Sequence, residues 1–216
     1  MVECLGWCRS LVDGFGVRHL LVGEDFHFGH GGQGNVDLLT EASLQYDFNF
    51  DCFATVERDG GRISSTRVRD GLKSGDLKTV AELLGRPYSM CGRVSRGQQL
   101  GRQLGFPTAN IPLKRNQSPL SGVFAVSLTR ESGQQLTGVA NVGRRPTVNG
   151  LEERVEVYVL NFDDNLYGEE LKVEFLTRIR AEKRFNGLDE LTRQIGLDVQ
   201  AAKEYFKDKS SANDAG

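Results

Sequence analysis

The sequence has little that would mark a secreted, membrane-embedded or nucleic-acid-binding protein. Its four cysteines among 216 residues form no CxxC pair, so neither a disulfide framework nor a cysteine-rich zinc site is expected. No apolar run approaches the roughly 18–20 residues that cross a bilayer, and the start does not resemble a signal peptide. The formal net charge of -2 gives no overall basic footprint for nucleic acid. We therefore expect a cytoplasmic protein that binds neither membranes nor nucleic acid; the sequence leaves its oligomeric state open.

What is present divides the chain into two parts of different character. Residues 1–84 alternate between apolar runs such as VRHLLVG and segments with helical spacing such as VDLLTEASLQY. That strand–helix order predicts a parallel α/β layer. The segment supplies too few strands for a complete doubly wound sheet, so we expect it to be part of a larger α/β domain.

The second part, residues 85–207, has the pattern of an antiparallel fold. Short alternating runs separated by turn residues follow one another: YSMCGRV, TANIPL, GVFAVSLT, QQLTGVANV, RVEVYVLNF and ELKVEFLTRIR. This spacing predicts a sandwich or small barrel. The segment LDELTRQIGLDVQAAKEYF then predicts an amphipathic closing helix. The polar residues 208–216 are expected to form a disordered tail.

The densest candidate site lies in GRVSRGQQLGRQLGFPTANI. Its glycines allow close approach of the backbone to a phosphate chain, but it is neither a Walker A loop nor a GxGxxG fingerprint. From glycine spacing alone, an ordinary hairpin connection would be the better interpretation. Thr108 and Asn110 shift that balance, because two oxygen-bearing side chains on one face of an extended segment suit Mg²⁺.

These motifs, together with GVFAVSL, GVANVGRRPTV and VEVYVLNFDDNLYG, closely resemble the riboflavin kinase module of bacterial bifunctional riboflavin kinase/FAD synthetases. The resemblance covers residues 85–207 in order. It implies an α+β protein: a six-stranded antiparallel Greek-key β-barrel with a C-terminal helix, preceded by a partial Rossmann-like nucleotidyltransferase segment in residues 1–84.

The resemblance also implies roles for individual residues. Thr108 and Asn110 would hold the Mg²⁺ that bridges the ATP phosphates, and the loop around Gly97 and Gly101 would lie over the nucleotide. Glu156 would be the general base that takes the proton of the ribityl 5′-hydroxyl of riboflavin.

Two weaker assignments concern the flavin. Tyr158 matches an aromatic position near the flavin and Arg180 a basic position close to the isoalloxazine; ordinary core and surface roles stay open for both. Periodicity places Glu156 and Tyr158 on one face of their strand, opposite the valines between them. By itself, that pattern would make Glu156 an exposed residue on a strand with one face in solvent.

The first part has family motifs of its own. LLVGEDFHFG and ISSTRVR resemble stretches of the adenylyltransferase half, and Ser65, Thr66 and Arg69 would there contact ATP phosphates. HFGH at residues 27–30 fits the HxGH signature of nucleotidyltransferases, but it follows the wrong strand and we interpret it as coincidence. The family's GxFDGxHxGH element does not occur in the sequence, so we do not expect FAD synthesis by this chain alone.

The resulting prediction is a riboflavin kinase that uses MgATP to convert riboflavin to FMN. Two alternatives stay open: part of a bifunctional enzyme that also adenylylates FMN to FAD, and a non-catalytic barrel that binds a flavin or nucleotide.

Overall fold

A computed structural model of the chain describes residues 2–96, 101, 104–113, 118–147 and 150–213. The described residues form two compact units, which meet in sequence between Ile63 and Ser64. Within these residues, no helix combines the length and the apolar character that a membrane crossing requires.

The first unit is a small α/β layer. Its elements are α1 (Val2–Arg9), a π-helical turn (Ser10–Gly14), β1 (His19–Gly23), a 3₁₀ turn (His30–Gly32), α2 (Val36–Tyr46), β2 (Asn49–Phe53), β3 (Glu57–Arg58) and β4 (Gly61–Arg62). Strands β1 and β2 are parallel, as the strand–helix–strand order predicts. The Asn35 side chain caps α2 by accepting from the Leu38 N–H at 3.0 Å.

The second unit begins with two helices, α3 (Ser65–Ser74) and α4 (Leu77–Leu84). Gly75 and Gly85 end them in the left-handed conformation, which glycine adopts without steric cost. Both helices pack into the core of the following sheet, where Leu72, Leu77 and Val80 join one cluster with sheet residues. The domain division at residues 84 and 85 stays a prediction, because the compact unit starts at Ser64 while the change of sequence pattern comes after α4.

Six strands and a long helix make up the rest of the unit. They are β5 (Tyr88–Arg93), β6 (Thr108–Pro112), β7 (Gly122–Arg130), β8 (Gln135–Thr147), β9 (Gly150–Val159), β10 (Glu170–Arg180) and α5 (Leu188–Asn213). The strand order is β5-β10-β7-β8-β9-β6, and every neighbouring pair is antiparallel. Strands β7, β8 and β9 form a meander with β6 beside β9, which is the Greek-key arrangement. The predicted six-stranded barrel with a C-terminal helix is confirmed.

A hydrogen bond joins the two edge strands of the sheet. The N–H of Ser95, just beyond β5, donates to the carbonyl of Asn110 on β6 at 2.8 Å. The sheet thereby curves around a core that includes Phe124, Phe175, Ile111 and Val157. On its other face, Val199 and Ala202 of α5 pack against Val123, Ala125 and Val139.

The expectation of a disordered tail at residues 208–216 needs correction for its first part. Helix α5 continues through residues 208–213, and the Ser210 and Ser211 hydroxyls donate to the Lys207 carbonyl at 2.8 and 3.0 Å. The segment has no proline or glycine before position 216, so nothing stops a helix that gains one hydrogen bond per added residue. Residues 214–216 lie outside the described residues.

The N-cap of α4 gives a first test of the fold. The Asp76 carboxylate accepts from the Thr79 N–H at 3.1 Å, and its hydrogen bonds to Thr79 lower the pKa of Asp76. We expect Asp76→Ala to destabilise the unit at pH 7 by about 1 kcal/mol, the usual value of an N-cap. Thermal unfolding followed by circular dichroism should show a melting temperature roughly 2–4 °C lower.

The pH dependence of that effect has a definite sign. Because the folded pKa of Asp76 lies below its unfolded value, the stabilisation from the ionised carboxylate is present above the unfolded pKa. It is lost as the pH falls through the folded pKa. Asp76→Asn, which keeps a capping oxygen, should remain close to wild type at pH 7. Equal melting temperatures for wild type and Asp76→Ala would contradict a capping role.

Candidate active site

Strand β6 carries the predicted magnesium ligands and pairs with β9, which carries the predicted base. Thr108 lies opposite Tyr158, and Asn110 lies opposite Glu156. Directly opposite residues of an antiparallel pair point to the same face, with Cβ atoms about 4.5–5.5 Å apart. The carboxylate and the two oxygen-bearing side chains are therefore neighbours on one face of the sheet.

The two faces of β9 differ as its alternating sequence predicts. Val155 and Val157 are fully buried and Val159 is 5% exposed, all within the barrel core. Glu156 and Tyr158 lie between these valines, on the opposite face, and are half-buried. Glu156 is thus accessible from the side of the sheet on which α5 packs.

Glu156 belongs to a continuous row of residues across five strands, which we call the transverse row. Strand register pairs Arg180 with Val123, Val123 with Asn141, Asn141 with Glu156, and Glu156 with Asn110. An amide side chain therefore flanks Glu156 on each side, on β8 and on β6. Arg180 lies at the far end of the row, on β10.

A cavity of about 510 Å³ opens beside β6. Its walls are residues 107–110, the end of β9, the β9–β10 connection and the segment after β5: Val94, Arg96, Pro107, Thr108, Ala109, Asn110, Val159, Phe162, Asp163, Asp164, Asn165, Leu166 and Tyr167. The volume falls within the usual range for small-molecule sites. Glu156 is outside this lining, but it lies opposite Asn110, which belongs to it.

Arg130 contacts both ends of the β9–β10 connection, which forms one cavity wall. Its Nε and Nη2 donate to the two carboxylate oxygens of Glu169 at 2.9 and 2.5 Å, and its guanidinium lies 5.4 Å from the ring of Phe162. The hydrogen bond from Arg130 lowers the pKa of Glu169. These contacts connect β7 to both ends of the β9–β10 connection, which favours a preformed site.

The donor set on β6 suits a hard cation. Asn110 is 6% exposed, and its Nδ2 donates to the Thr108 carbonyl at 3.2 Å. That bond directs the nitrogen back to the strand and leaves Oδ1 as an acceptor, beside the hydroxyl of Thr108. Within the described part of the chain, no group of three or more His, Cys, Asp or Glu side chains could hold a metal. With two oxygen donors from β6, Mg²⁺ at this site would share its shell with substrate phosphates and water, as it commonly does.

The loop glycines fall into different categories. Gly97 lies outside the described residues. Gly101 accepts the Phe106 N–H at 2.7 Å, and a Cβ at Gly101 would overlap the Phe106 carbonyl oxygen. Gly101 is therefore needed for the turn that leads into β6, while its predicted contact with ATP stays a prediction. The Phe106 ring meets Tyr158 edge-on at 5.4 Å, which gives Tyr158 a packing role on the helix side.

Arg180, the predicted flavin contact, forms a salt bridge with the closing helix. Its Nη2 donates to Asp198 of α5 at 2.7 Å. The predicted phosphate contacts of the adenylyltransferase are separate from the transverse row: Ser65, Thr66 and Arg69 lie exposed on the first turns of α3, where Arg69 donates to the Ser65 hydroxyl at 3.1 Å. The roles of all of these residues stay predictions.

Two residues that lie beside predicted site residues were not predicted from the sequence. Asn141 lies next to Glu156, and the alternation of QLTGVANVG, which places it on the same face as Val139, could have identified it. Asp198 offered no such signal, because an acidic residue in an amphipathic helix usually faces water.

Comparison with known proteins decides the family. A family profile described as riboflavin kinase (Flavokinase) matches residues 84–206, more than half of the chain. The chain belongs to the riboflavin kinase family. The matched residues include all six strands of the barrel and every member of the transverse row, so the predicted family is confirmed.

The riboflavin kinase match is accompanied by others that extend further toward the N-terminus. A profile described as FAD synthetase matches residues 7–67. The bifunctional riboflavin kinase/FMN adenylyltransferase of Haemophilus influenzae is 44% identical over 198 residues, which cover 92% of this chain and 64% of that protein. The enzyme of the same name from Pseudomonas fluorescens is 48% identical over 196 residues, with 90% and 63% covered. The chain thus spans less than two thirds of the length of these relatives.

A solved structure also resembles this riboflavin kinase family member. The crystal structure titled macrolide-efflux protein from Streptococcus pneumoniae is 31% identical, with a TM-score of 0.69. The likeness covers 88% of this chain and 62% of that chain. At this coverage the likeness extends over both units and supports their fold.

Proposed function

We propose that this chain transfers the γ-phosphate of ATP to the 5′-hydroxyl of riboflavin, giving FMN and ADP. The observation that carries the proposal is the register of β6 and β9, which places Glu156 opposite Asn110 and Tyr158 opposite Thr108. The riboflavin kinase profile over residues 84–206 and the cavity beside β6 support it. The partners in this proposal are small molecules, ATP and riboflavin.

Glu156 acts as the general base in this proposal. Its carboxylate accepts the proton of the 5′-hydroxyl as the hydroxyl oxygen forms a bond to the γ-phosphorus and the bond to the β-phosphate oxygen breaks. Phosphoryl transfer depends mainly on positioning and on neutralising charge. Accordingly, the second task of the protein is to hold the phosphates of ATP in the cavity lined by residues 107–110.

The Thr108 hydroxyl and Asn110 Oδ1 would hold Mg²⁺. When bound, the ion neutralises charge that develops on the phosphate oxygens. The chain contributes the preformed geometry: β6 fixes both side chains on one face, and the bond from Asn110 to the Thr108 carbonyl orients the amide.

A product assay tests this function. The full chain is incubated with riboflavin and MgATP, and flavins are separated chromatographically at successive times. We expect FMN to accumulate with an equal amount of ADP. Tight riboflavin binding without FMN would instead support the non-catalytic barrel and overturn the proposal.

FAD formation is the second candidate, and the FAD synthetase match over residues 7–67 favours it. The relatives named as bifunctional enzymes match the chain over both units. Incubation with FMN and MgATP tests this candidate directly, because adenylylation releases FAD and pyrophosphate in equal amounts. Appearance of both would extend the proposed function; unconverted FMN without pyrophosphate release would restrict it to the kinase step.

A further inference from the structure

A buried ion pair fastens the end of β10 to α5. Arg180 Nε donates to both carboxylate oxygens of Asp198, at 2.9 and 3.1 Å, and Nη2 donates to Oδ2 at 2.7 Å. The Asp198 side chain is only 4% exposed, and Gln194 donates to its Oδ1 at 3.0 Å. A buried carboxylate with this many donors is fixed in place, and so is its partner.

The pair leaves part of Arg180 available at the surface. The Arg180 side chain is 21% exposed. Its bonds to Asp198 and to the Ala181 carbonyl use three of the five guanidinium N–H groups. The ring of Phe185 lies 5.6 Å from the guanidinium. What remains is a flat surface with hydrogen-bond donors, whose positive charge Asp198 balances.

Charge balance determines which ligand such a surface prefers. An arginine without an acidic partner is the residue of choice for phosphates and carboxylates. An arginine already paired in bidentate fashion gains much less from a second anion, but it still stacks and donates to neutral acceptors. The Arg180–Asp198 pair therefore suits an uncharged planar group with carbonyl oxygens.

The transverse row sets the distance from this surface to Glu156. Register places three strand-to-strand steps between Arg180 and Glu156, through Val123 and Asn141. At about 4.8 Å per step, the two ends are roughly 14 Å apart along the sheet. A ligand with its reacting hydroxyl at Glu156 reaches Arg180 only if it is elongated and has its planar part at the far end. Riboflavin, an uncharged fused ring on a five-carbon chain, has that shape.

We propose that Asp198 is a positioning and specificity-determining residue, which acts through Arg180 to make the end of β10 recognise an uncharged flavin ring. The inference rests on the proposed function, since it assumes that riboflavin with its hydroxyl at Glu156 reaches the end of β10. Asp198 itself does not touch the substrate; it orients the guanidinium and balances its charge.

The main test compares steady-state kinetics of the full chain with those of Asp198→Asn and Arg180→Met. We expect Asp198→Asn to raise the KM for riboflavin about tenfold, the effect of one charge-assisted hydrogen bond. The KM for ATP and the kcat at saturating riboflavin should change less than about twofold, because the ATP site and Glu156 are untouched. The double variant should show no greater KM than Arg180→Met alone, since Asp198 acts through Arg180.

Val199→Ala is the matched structural control. Val199 is the next residue on α5, is 8% exposed, and packs on the same sheet face without a bond to Arg180. We expect it to lower the melting temperature while the KM for riboflavin stays at the wild-type value. If Val199→Ala raises that KM as much as Asp198→Asn does, α5 docking alone explains the effect and the proposal is wrong.

Arg180→Lys keeps the inference testable should Asp198→Asn fail to fold. Lysine retains the charge beside Asp198 but lacks the planar fork, so an increased KM for riboflavin is expected and an unchanged one would overturn the proposal. Failure of the proposed function is distinguishable, because the wild-type chain would then form no FMN. If the wild-type chain forms FMN and the double variant raises the KM for riboflavin by the product of the two single effects, only the role of Asp198 is refuted.

Discussion

Replacing Glu156 with glutamine is expected to lower kcat for FMN formation by about 10²–10⁴-fold, the range that a general base usually contributes. Glutamine has the size of glutamate and can still hydrogen-bond the ribityl hydroxyl, but its amide cannot take up the proton. The side chain is half-buried on β9 and lies opposite Asn110, so the change should not disturb the barrel core, which packs on the other face. Initial rates of FMN and ADP formation at saturating substrates measure the effect.

The KM for ATP should remain close to wild type in this variant, because Glu156 does not line the cavity beside β6. Glu174→Gln is a suitable control: it removes one carboxylate, the partner of Lys172 at 2.6 Å on β10, outside the transverse row. We expect that control to retain full turnover. If Glu156→Gln keeps the wild-type kcat, Glu156 is not the general base. The proposed function would then lose its strongest residue assignment.

Local patterns in the sequence were sufficient to predict the strands but not their neighbours. The alternation in RVEVYVLNF predicts which side chains of β9 face the core, and the burial of Val155 and Val157 agrees with it. Nothing in the same pattern shows that β6 pairs with β9 and not with β7, which follows it in sequence. Only the family resemblance brought Thr108, Asn110 and Glu156 into one site, because long-range pairing depends on the whole barrel.

Other features required tertiary contacts that local patterns do not encode. Helix α1 has a glycine at position 6 and was not predicted; it packs through Cys8, which is buried, and through Trp7, whose ring lies 4.6 Å from that of Phe28. The salt bridge from Arg180 to Asp198 likewise forms only when α5 docks on the sheet. The sequence predicted Arg180 as a flavin contact but not its salt bridge to Asp198. In our proposal, that salt bridge is the reason why Arg180 prefers an uncharged ring.

Loss of the oxygen ligands on β6 is the second large effect we expect. Thr108→Ala and Asn110→Ala should each raise the Mg²⁺ concentration required for half-maximal FMN formation, and lower kcat at limiting Mg²⁺. Removing a residue that merely supports a ligand typically costs about 10–100-fold in metal affinity, so removing a ligand should cost at least that. Riboflavin binding, measured by titration without ATP, should change little, because neither side chain lies on the Arg180 side of the row.

Asn110→Ala is expected to have the larger effect of the two. Asn110 is 6% exposed and its amide donates to the Thr108 carbonyl, so the substitution removes both an oxygen ligand and a buried hydrogen bond of β6. Thr108→Ser keeps the hydroxyl and should retain most of the wild-type Mg²⁺ response, which separates loss of a ligand from disturbance of the strand. If Thr108→Ala and Asn110→Ala both keep the wild-type Mg²⁺ requirement, the ion is held elsewhere, and β6 contributes to the cavity wall alone.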